Sequence, residues 1–362
     1  LFCFGSCMSD AKLIITHFCI PEHVIGVTAL GEGFINDTFL VETAKDEKKY
    51  ILQRKNKTVF PDIPGMMDNI RKVTGHILSK GEITLQLIPS ADHLWYYQDK
   101  DGEYWTCFTY IQDTYTHDVA GSLDLIRAGG EGIGTFHSLL SDFHEPLIDT
   151  LPGFHNISYR FEQFSVSVQR DAASRMSEVV PLVDEVLCRK ERMLSFLELI
   201  QNKTIPERVS HNDTKLSNFL FDRNGKVVCA IDLDTVMRST VLYDFGDAVR
   251  SYTNPFAEDH PNHNQVQMDL DRFTSLSEGY LSKAAWFLNE EEKTHLAFSA
   301  LYITYEQFLR FLMDYIDGDT YYRIRYPSHN LVRARSQLAL LKSMEDRYSL
   351  MQNKLFKIIN TL

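Results

Sequence analysis

The chain has 362 residues, 44% of them apolar and 24% charged, with a formal net charge of −12. Those figures describe one large or two ordinary globular domains and exclude a disordered chain. The acidic balance, with no Lys/Arg-rich run, argues against nucleic acid and anionic membrane as partners, and a bound phosphate would need local cations to offset that field.

The cysteines (Cys3, Cys7, Cys19, Cys107, Cys188 and Cys229) are scattered, without the paired spacing of a zinc site or the density of a disulfide scaffold. Reduced thiols in a cytoplasmic protein are the plain expectation. The opening "LFCFGSCMSD" has neither a basic n-region nor an apolar h-region before Cys7. Leu1–Cys7 is therefore expected to be a disordered extension ahead of a start at Met8. No apolar run approaches the roughly 18 residues a spanning helix needs.

In chain order, "VIGVTAL", "TFLVETA" and "KYILQRK" read as three strands, linked by "GEGFIND" and the charged turn "KDEK". "MMDNIRKVTGHILSK" has helical periodicity. "TLQLIPS", "LWYYQ" and "YWTCFTYI" return to strand around the turn "DKDGE". After "IQDTYTHD" the segments 122–143, 158–200, 270–317 and 331–358 are helical in period. The fold expected is α+β and two-lobed. A small β-rich lobe, 1–112, has an antiparallel sheet and one helix. A larger, mainly helical lobe spans 113–362, with the hinge near Tyr110–Asp113.

The chemistry concentrates in "VSHNDTKLSNFLFDRNGKVVCAIDLDT", residues 209–235. Asn224-Gly225 between two apolar runs signals a tight hairpin. That hairpin folds Asn218 back beside Asp232, with Asp213 on the entering loop. One amide and one carboxylate, Asn218 and Asp232, suit Mg²⁺ that carries nucleotide phosphates. Asp213 is then free to accept a proton from an attacking hydroxyl, and Lys215 can meet the charge of the moving γ-phosphoryl group. His211-x-Asp213 with Asn218 five residues on is the H-x-D-x-x-x-x-N arrangement of kinase-like phosphotransferases. Asn212 stands where protein kinases place arginine, and "DLD" at 232–234 replaces D-F-G. The literal Asp244-Phe245-Gly246 is expected to support the catalytic loop instead of binding metal.

The nucleotide side is less complete. "GEGFIND" supplies Gly31 and Gly33, with Asn36 where a third glycine would stand, and a plain β-turn is an equal reading. Gln53 occupies the inward strand position where a phosphate lysine is expected, and alternation turns Arg54 away. The hinge residues Tyr110, Ile111 and Gln112 complete the candidate ATP-binding set. Elsewhere, "AGGEGIG" at 128–134 reads as close helix packing. Glu306, Arg310 and Asp314 share a helix face, either as a salt-bridged stripe or as the polar wall of a pocket. "CIPEH" lacks the arginine that sulfatase chemistry needs.

With those residues in view, the chain resembles the aminoglycoside phosphotransferase and choline kinase superfamily. The closer likeness is to bacterial N-acetylhexosamine 1-kinases. The resemblance runs from about residue 15 to 350, through "YILQRKN", "VFPD", "FHNISYRFEQF", "RVSHNDTKLSN", "IDLDT", "DFGDAVR" and "RFLMDYIDGDTYYRIRYPSHNLVR". It implies phosphorylation of the anomeric hydroxyl of N-acetylglucosamine or N-acetylgalactosamine by ATP and Mg²⁺. Asp213 corresponds to the base, Asn218 and Asp232 to metal ligands, and Arg310 and Tyr321 to sugar contacts. The resemblance also moves the Glu306–Arg310 face toward the pocket reading. Phe34 departs from the family, which tends to place histidine there, and puts the acceptor preference in question. Two alternatives stay open: a kinase of the same superfamily for another hexose, amino alcohol or aminoglycoside, and a degraded kinase fold that only binds.

Overall fold

The structure, a computed structural model, describes residues 10–30, 35–44 and 48–362. Leu1–Cys7 and the loop residues Gly31, Gly33 and Phe34 lie outside that range, so the expectations placed on them stand as stated.

The three expected N-terminal strands form as β1 (Val24–Ala29), β2 (Asp37–Thr43) and β3 (Lys49–Lys55). They join β4 (Leu87–Ile88), β5 (Tyr97–Gln98) and β6 (Tyr104–Thr109) in an antiparallel sheet of order β1-β2-β3-β6-β4, with β5 beside β6. β4 and β5 are shorter than the apolar runs suggested. Pro89 has no N–H to extend the ladder, and His93 turns the chain at φ 60. Strand alternation gives the sheet two different faces. Phe39, Val41, Tyr50, Leu52, Trp105 and Cys107 pack under a short N-terminal helix, α1 (10–14 among the described residues), through Ala11 and Ile14. Ile51, Gln53 and Phe108 look the other way, into a cleft.

Helix α2 (Ile63–Ser79) starts where Asp62 accepts the Gly65 N–H at 2.9 Å, with a proline in the first turn. Its buried stripe of Met66, Ile70, Val73 and Ile77 belongs to the main hydrophobic core, which is continuous with the helical half. That half contains α3 (Leu123–Leu139), α4 (Ile157–Arg170), α5 (Met176–Leu187), α6 (Lys190–Gln201), α7 (Val241–Tyr252), α8 (Leu270–Ala284), α9 (Glu290–Ile316), α10 (His329–Asp346) and α11 (Tyr348–Ile359). The single helical stretch expected at 158–200 is broken into three, first by Asp171, which caps α4 in the left-handed conformation. A capping box, Asn289 with Glu292, starts the buried α9.

The glycine run at 128–134 is a helix crossing, as its composition suggested. A Cβ on Gly130 would lie 2.4 Å from the Leu276 carbonyl of α8, and one on Gly279 would lie 2.1 Å from the Arg127 carbonyl. Only glycine lets these backbones approach so closely. We propose the lobe boundary at 112/113, in the segment between β6 and α3. None of the described helices is long and apolar enough to cross a membrane.

Candidate active site

The expected hairpin is present: β8 (Phe219–Phe221) pairs with β9 (Val227–Ala230) around Gly225, whose φ is +77. The Asp222 carboxylate braces the turn, accepting the Asn224 and Lys226 N–H groups at 2.9 Å each. The segment after the hinge holds the hairpin in place, because Tyr115 and Phe221 exchange backbone bonds of 2.9 and 2.8 Å. The Ile231 N–H donates to the Asn218 carbonyl at 2.8 Å, which sets Asp232 next to the start of the hairpin.

The catalytic loop is anchored from behind by α7. Asp244, 0% exposed, accepts the N–H groups of His211 and Asn212 at 2.7 and 2.6 Å, and the buried His137 holds the same carboxylate at 2.7 Å. This is the supporting role expected of the literal D-F-G. Asn212 adopts φ 64, a left-handed conformation asparagine tolerates, and its amide donates to the carbonyls of Ser210 and Thr235. His211 Nε2 faces the Ile231 carbonyl at 2.8 Å, so this side chain ties the loop to the residue after β9 and stays out of the cleft.

Asp213, half-exposed, accepts from the Asn218 amide at 2.8 Å and meets the Lys215 ammonium at 3.0 Å. Burial would raise its carboxyl, but Lys215 and His211 outweigh that and hold it below the ordinary carboxylate value. Lys215 is pushed up in turn, chiefly by Asp213 and, against burial, by Asp232. Asp232 behaves oppositely. Burial and the like charges of Asp234 and Asp213 raise its carboxyl, against Lys215 and Lys55, and its backbone is left-handed at φ 57. No described residue donates a hydrogen bond to it. A partly buried carboxylate, raised and without a donor, beside an amide whose Nδ2 is committed to Asp213, fits a divalent cation. No group of three or more His, Cys, Asp or Glu side chains among the described residues forms a metal cluster. With two protein donors, the pair Asn218 and Asp232 would suit an ion that completes its shell with phosphate and water oxygens.

These side chains line a cleft of about 580 Å³ under the inner face of the sheet. Asn36, Gln53, Tyr110, Ile111, Asp213, Lys215, Asn218 and Asp232 all border it, whereas Gln112 does not. Leu30, Ile51, Leu85, Phe108, Leu220 and Ile231 supply its apolar walls. Sequence reasoning passed over Lys55. It shares the strand face of Gln53, is 1% exposed, and places Nζ 2.6 Å from Asp234 Oδ1 and 2.7 Å from Gln53 Oε1. Arg54 turns away as alternation required and pairs with Asp37.

On the opposite side of the catalytic loop is a second polar cluster. His155 joins it to that loop: Nδ1 lies 2.8 Å from Glu306 and Nε2 lies 3.4 Å from the Asn212 carbonyl. Arg160 and Arg310 approach Glu306 Oε1 at 3.7 and 3.8 Å. The Arg310 guanidinium is 5.1, 5.7 and 5.6 Å from the ring centres of Phe154, Tyr321 and Tyr322. Tyr321 is 59% exposed and forms the outer edge. Asp314, the third member of the expected stripe, does not join this wall. Its carboxylate accepts the N–H groups of Thr320, Tyr321 and Tyr322 and so shapes the loop that carries the tyrosines.

The sequence model of the phosphotransferase enzyme family, APH, matches residues 26–276. The chain belongs to that family. Among solved structures, this phosphotransferase is similar to a microcompartment-associated aminopropanol kinase, at 17% identity and a TM-score of 0.66, over 96% of this chain and 99% of that one. It is also similar to a spectinomycin phosphotransferase in complex with ADP and spectinomycin, at 13% identity and a TM-score of 0.62, over 94% and 98% of the two chains. A choline kinase from Streptococcus pneumoniae aligns at 13% identity and a TM-score of 0.53, over 94% and 98%. At these identities the likeness is one of fold. The family match makes the chain a phosphotransferase.

Proposed function

We propose that the enzyme transfers the γ-phosphoryl group of ATP to the anomeric hydroxyl of an N-acetylhexosamine, giving the sugar 1-phosphate and ADP, in the cytoplasm. ATP occupies the cleft, its base against Leu85, Phe108, Tyr110 and Ile111 and its phosphates toward Asn218 and Asp232. Those two residues hold Mg²⁺, which neutralises charge on the phosphate oxygens. Asp213, kept ionised by Lys215, accepts the proton of the attacking hydroxyl. The new bond joins that oxygen to the γ-phosphorus as the bond to the ADP oxygen breaks. Lys215 offsets the charge on the phosphoryl group in transit.

The observation that favours a neutral sugar over a cationic acceptor is the seat of Arg310. Aromatic rings placed as Phe154, Tyr321 and Tyr322 are could cradle an ammonium ion, but here the protein's own guanidinium fills that cradle. Arg160 adds a second positive charge beside it. An amino alcohol or aminoglycoside would have to displace or approach these cations, whereas hydroxyl and acetamido oxygens can accept from them. The N-acetylhexosamine itself rests on the resemblance of the seven sequence blocks quoted above, including the Arg310–Tyr321 block.

The test is ADP release from Mg·ATP with N-acetylglucosamine, N-acetylgalactosamine, glucose, choline, ethanolamine and kanamycin. Turnover on the first two, with a phosphorus resonance coupled to the anomeric proton, is the expected result. Turnover on choline or ethanolamine with silence on the sugars would overturn the acceptor and leave the kinase intact.

A further inference from the structure

We propose that Asp234 is a positioning residue, a latch that fixes the N-terminal sheet to the metal-side loop through Lys55 and Asn36, and that it does not ligate the metal. The proposal rests on the reading that nucleotide binds in the cleft.

Both oxygens of this one carboxylate are used by the other half of the molecule. Lys55 Nζ lies 2.6 Å from Oδ1, across 179 positions of sequence, and Asn36 Nδ2 lies 2.7 Å from Oδ2, across 198. Asn36 Oδ1 in turn accepts the Asn56 N–H at 3.1 Å, so strand β3 and the segment before β2 are clamped together around Asp234. The side chains of Lys55 and Asp234 are 1% and 4% exposed. Among the described ion pairs between residues before 112 and residues after it, no other has both partners so buried. The turn carrying Asp234 is pinned on its other side to the catalytic loop: Thr235 Oγ1 donates to the His211 carbonyl at 2.6 Å, and the Thr235 carbonyl accepts from Asn212 at 3.0 Å.

Helix α2 is the other element under the inner face that could give Lys55 a counter-ion, and it offers none. Its buried positions are Ile63, Met66, Met67, Asn69, Ile70, Val73, Thr74 and Ile77. Asn69 donates to the carbonyls of Ile148 and Val236, and Asp68 pairs with Arg71 and Lys72 at the surface. The lysine is thus neutralised by the catalytic half. Gln53 Oε1 holds its ammonium at 2.7 Å within the sheet, but its counter-charge arrives only when the two halves are docked. Nucleotide affinity and closure of the cleft become one event.

A double-mutant cycle of Lys55→Met and Asp234→Asn tests this, with Asp232→Asn as the metal-ligand reference. Each single variant leaves one buried charge without its counter-charge, so both melt lower than the double variant and bind Mg·ADP roughly tenfold or more weakly. In the double variant the two losses do not add. The Mg²⁺ concentration for half-maximal turnover stays near wild type in Asp234→Asn and rises steeply in Asp232→Asn. Additive losses would overturn the latch, as would an Asp234→Asn metal requirement matching that of Asp232→Asn. If the single variants do not fold, the double variant, which carries no unpaired buried charge, answers the metal question alone. Failure of the wild-type protein to bind Mg·ADP would instead sink the nucleotide reading, whatever the variants did.

Discussion

The two sides of the catalytic loop are built in different ways. The phosphate side comes from one continuous stretch, His211 to Thr235, in which a hairpin and a bracing carboxylate on α7 bring Asp213, Asn218 and Asp232 together. The acceptor side is assembled from three distant pieces: Phe154–Arg160 at the start of α4, Glu306–Arg310 on α9, and the tyrosine loop shaped by Asp314. The first is local geometry and, in the proposed function, carries the reaction. The second is long-range packing and, in the same proposal, carries the choice of acceptor. Such a division would let one pocket be rebuilt without touching the other.

The sharpest separation of the two sides comes from Asp213→Asn. Removing the proposed base should lower kcat by about 10²–10⁴, with Mg·ADP affinity essentially unchanged in a binding assay. Turnover persisting at the wild-type rate would show that the proton goes elsewhere. On the acceptor side, Arg310→Gln should raise the KM for sugar by roughly tenfold to a hundredfold, the range for losing a charged hydrogen bond. The KM for ATP should hold, and choline should become a better competitor for the emptied aromatic cradle. Equal changes in both KM values would mean that the two sides are one unit.

A change remote from both provides the control. Gly279→Ala forces a Cβ against the Arg127 carbonyl, and should cost about 1–3 kcal/mol of stability by overpacking. The specific activity of the folded fraction should stay at the wild-type level, and denaturant melts paired with rates would reveal it. The smallest effect is in the pH profile. Asp213 is held below the ordinary carboxylate value and stays ionised, whereas Asp232 is raised and takes up a proton first as pH falls. Metal competes with that proton, so the acid limb of activity should move to lower pH as Mg²⁺ is increased. A limb indifferent to Mg²⁺ would assign it to another group.

How much of this was legible in the sequence follows the same line. The hairpin could be read because Asn224-Gly225 and its flanking apolar runs act over a few residues, and the three first strands because alternation is local. The glycine crossing of α3 with α8 was legible as composition, though its partner helix was not. Lys55 was missed although it shares the strand face of Gln53. Its meaning depends on Asp234, 179 residues later, and no spacing rule reaches that far. His155 and Arg160 were quoted only inside a longer block, because nothing in "FHNISYRFEQF" announces that its start meets Glu306 of another helix. The stripe on α9 was right in placing Glu306 and Arg310 together, and Asp314 left it because the helix ends and the chain folds back over its carboxylate.

The division of the hydrophobic core has a further consequence for how the molecule breathes. The outer face of the sheet rests on a small cluster of its own with α1, whereas α2 is buried in the large core of the helical half. Partial opening can therefore peel the sheet away while α2 stays docked. Amides of β1 and β2 should exchange with deuterium sooner than those in the middle of α2. Nucleotide, by bridging the sheet to the catalytic loop, should slow the strands far more than the helix. The N-terminal half would then behave as two units with different lifetimes, one able to admit and release ADP while the other keeps the framework of the molecule intact.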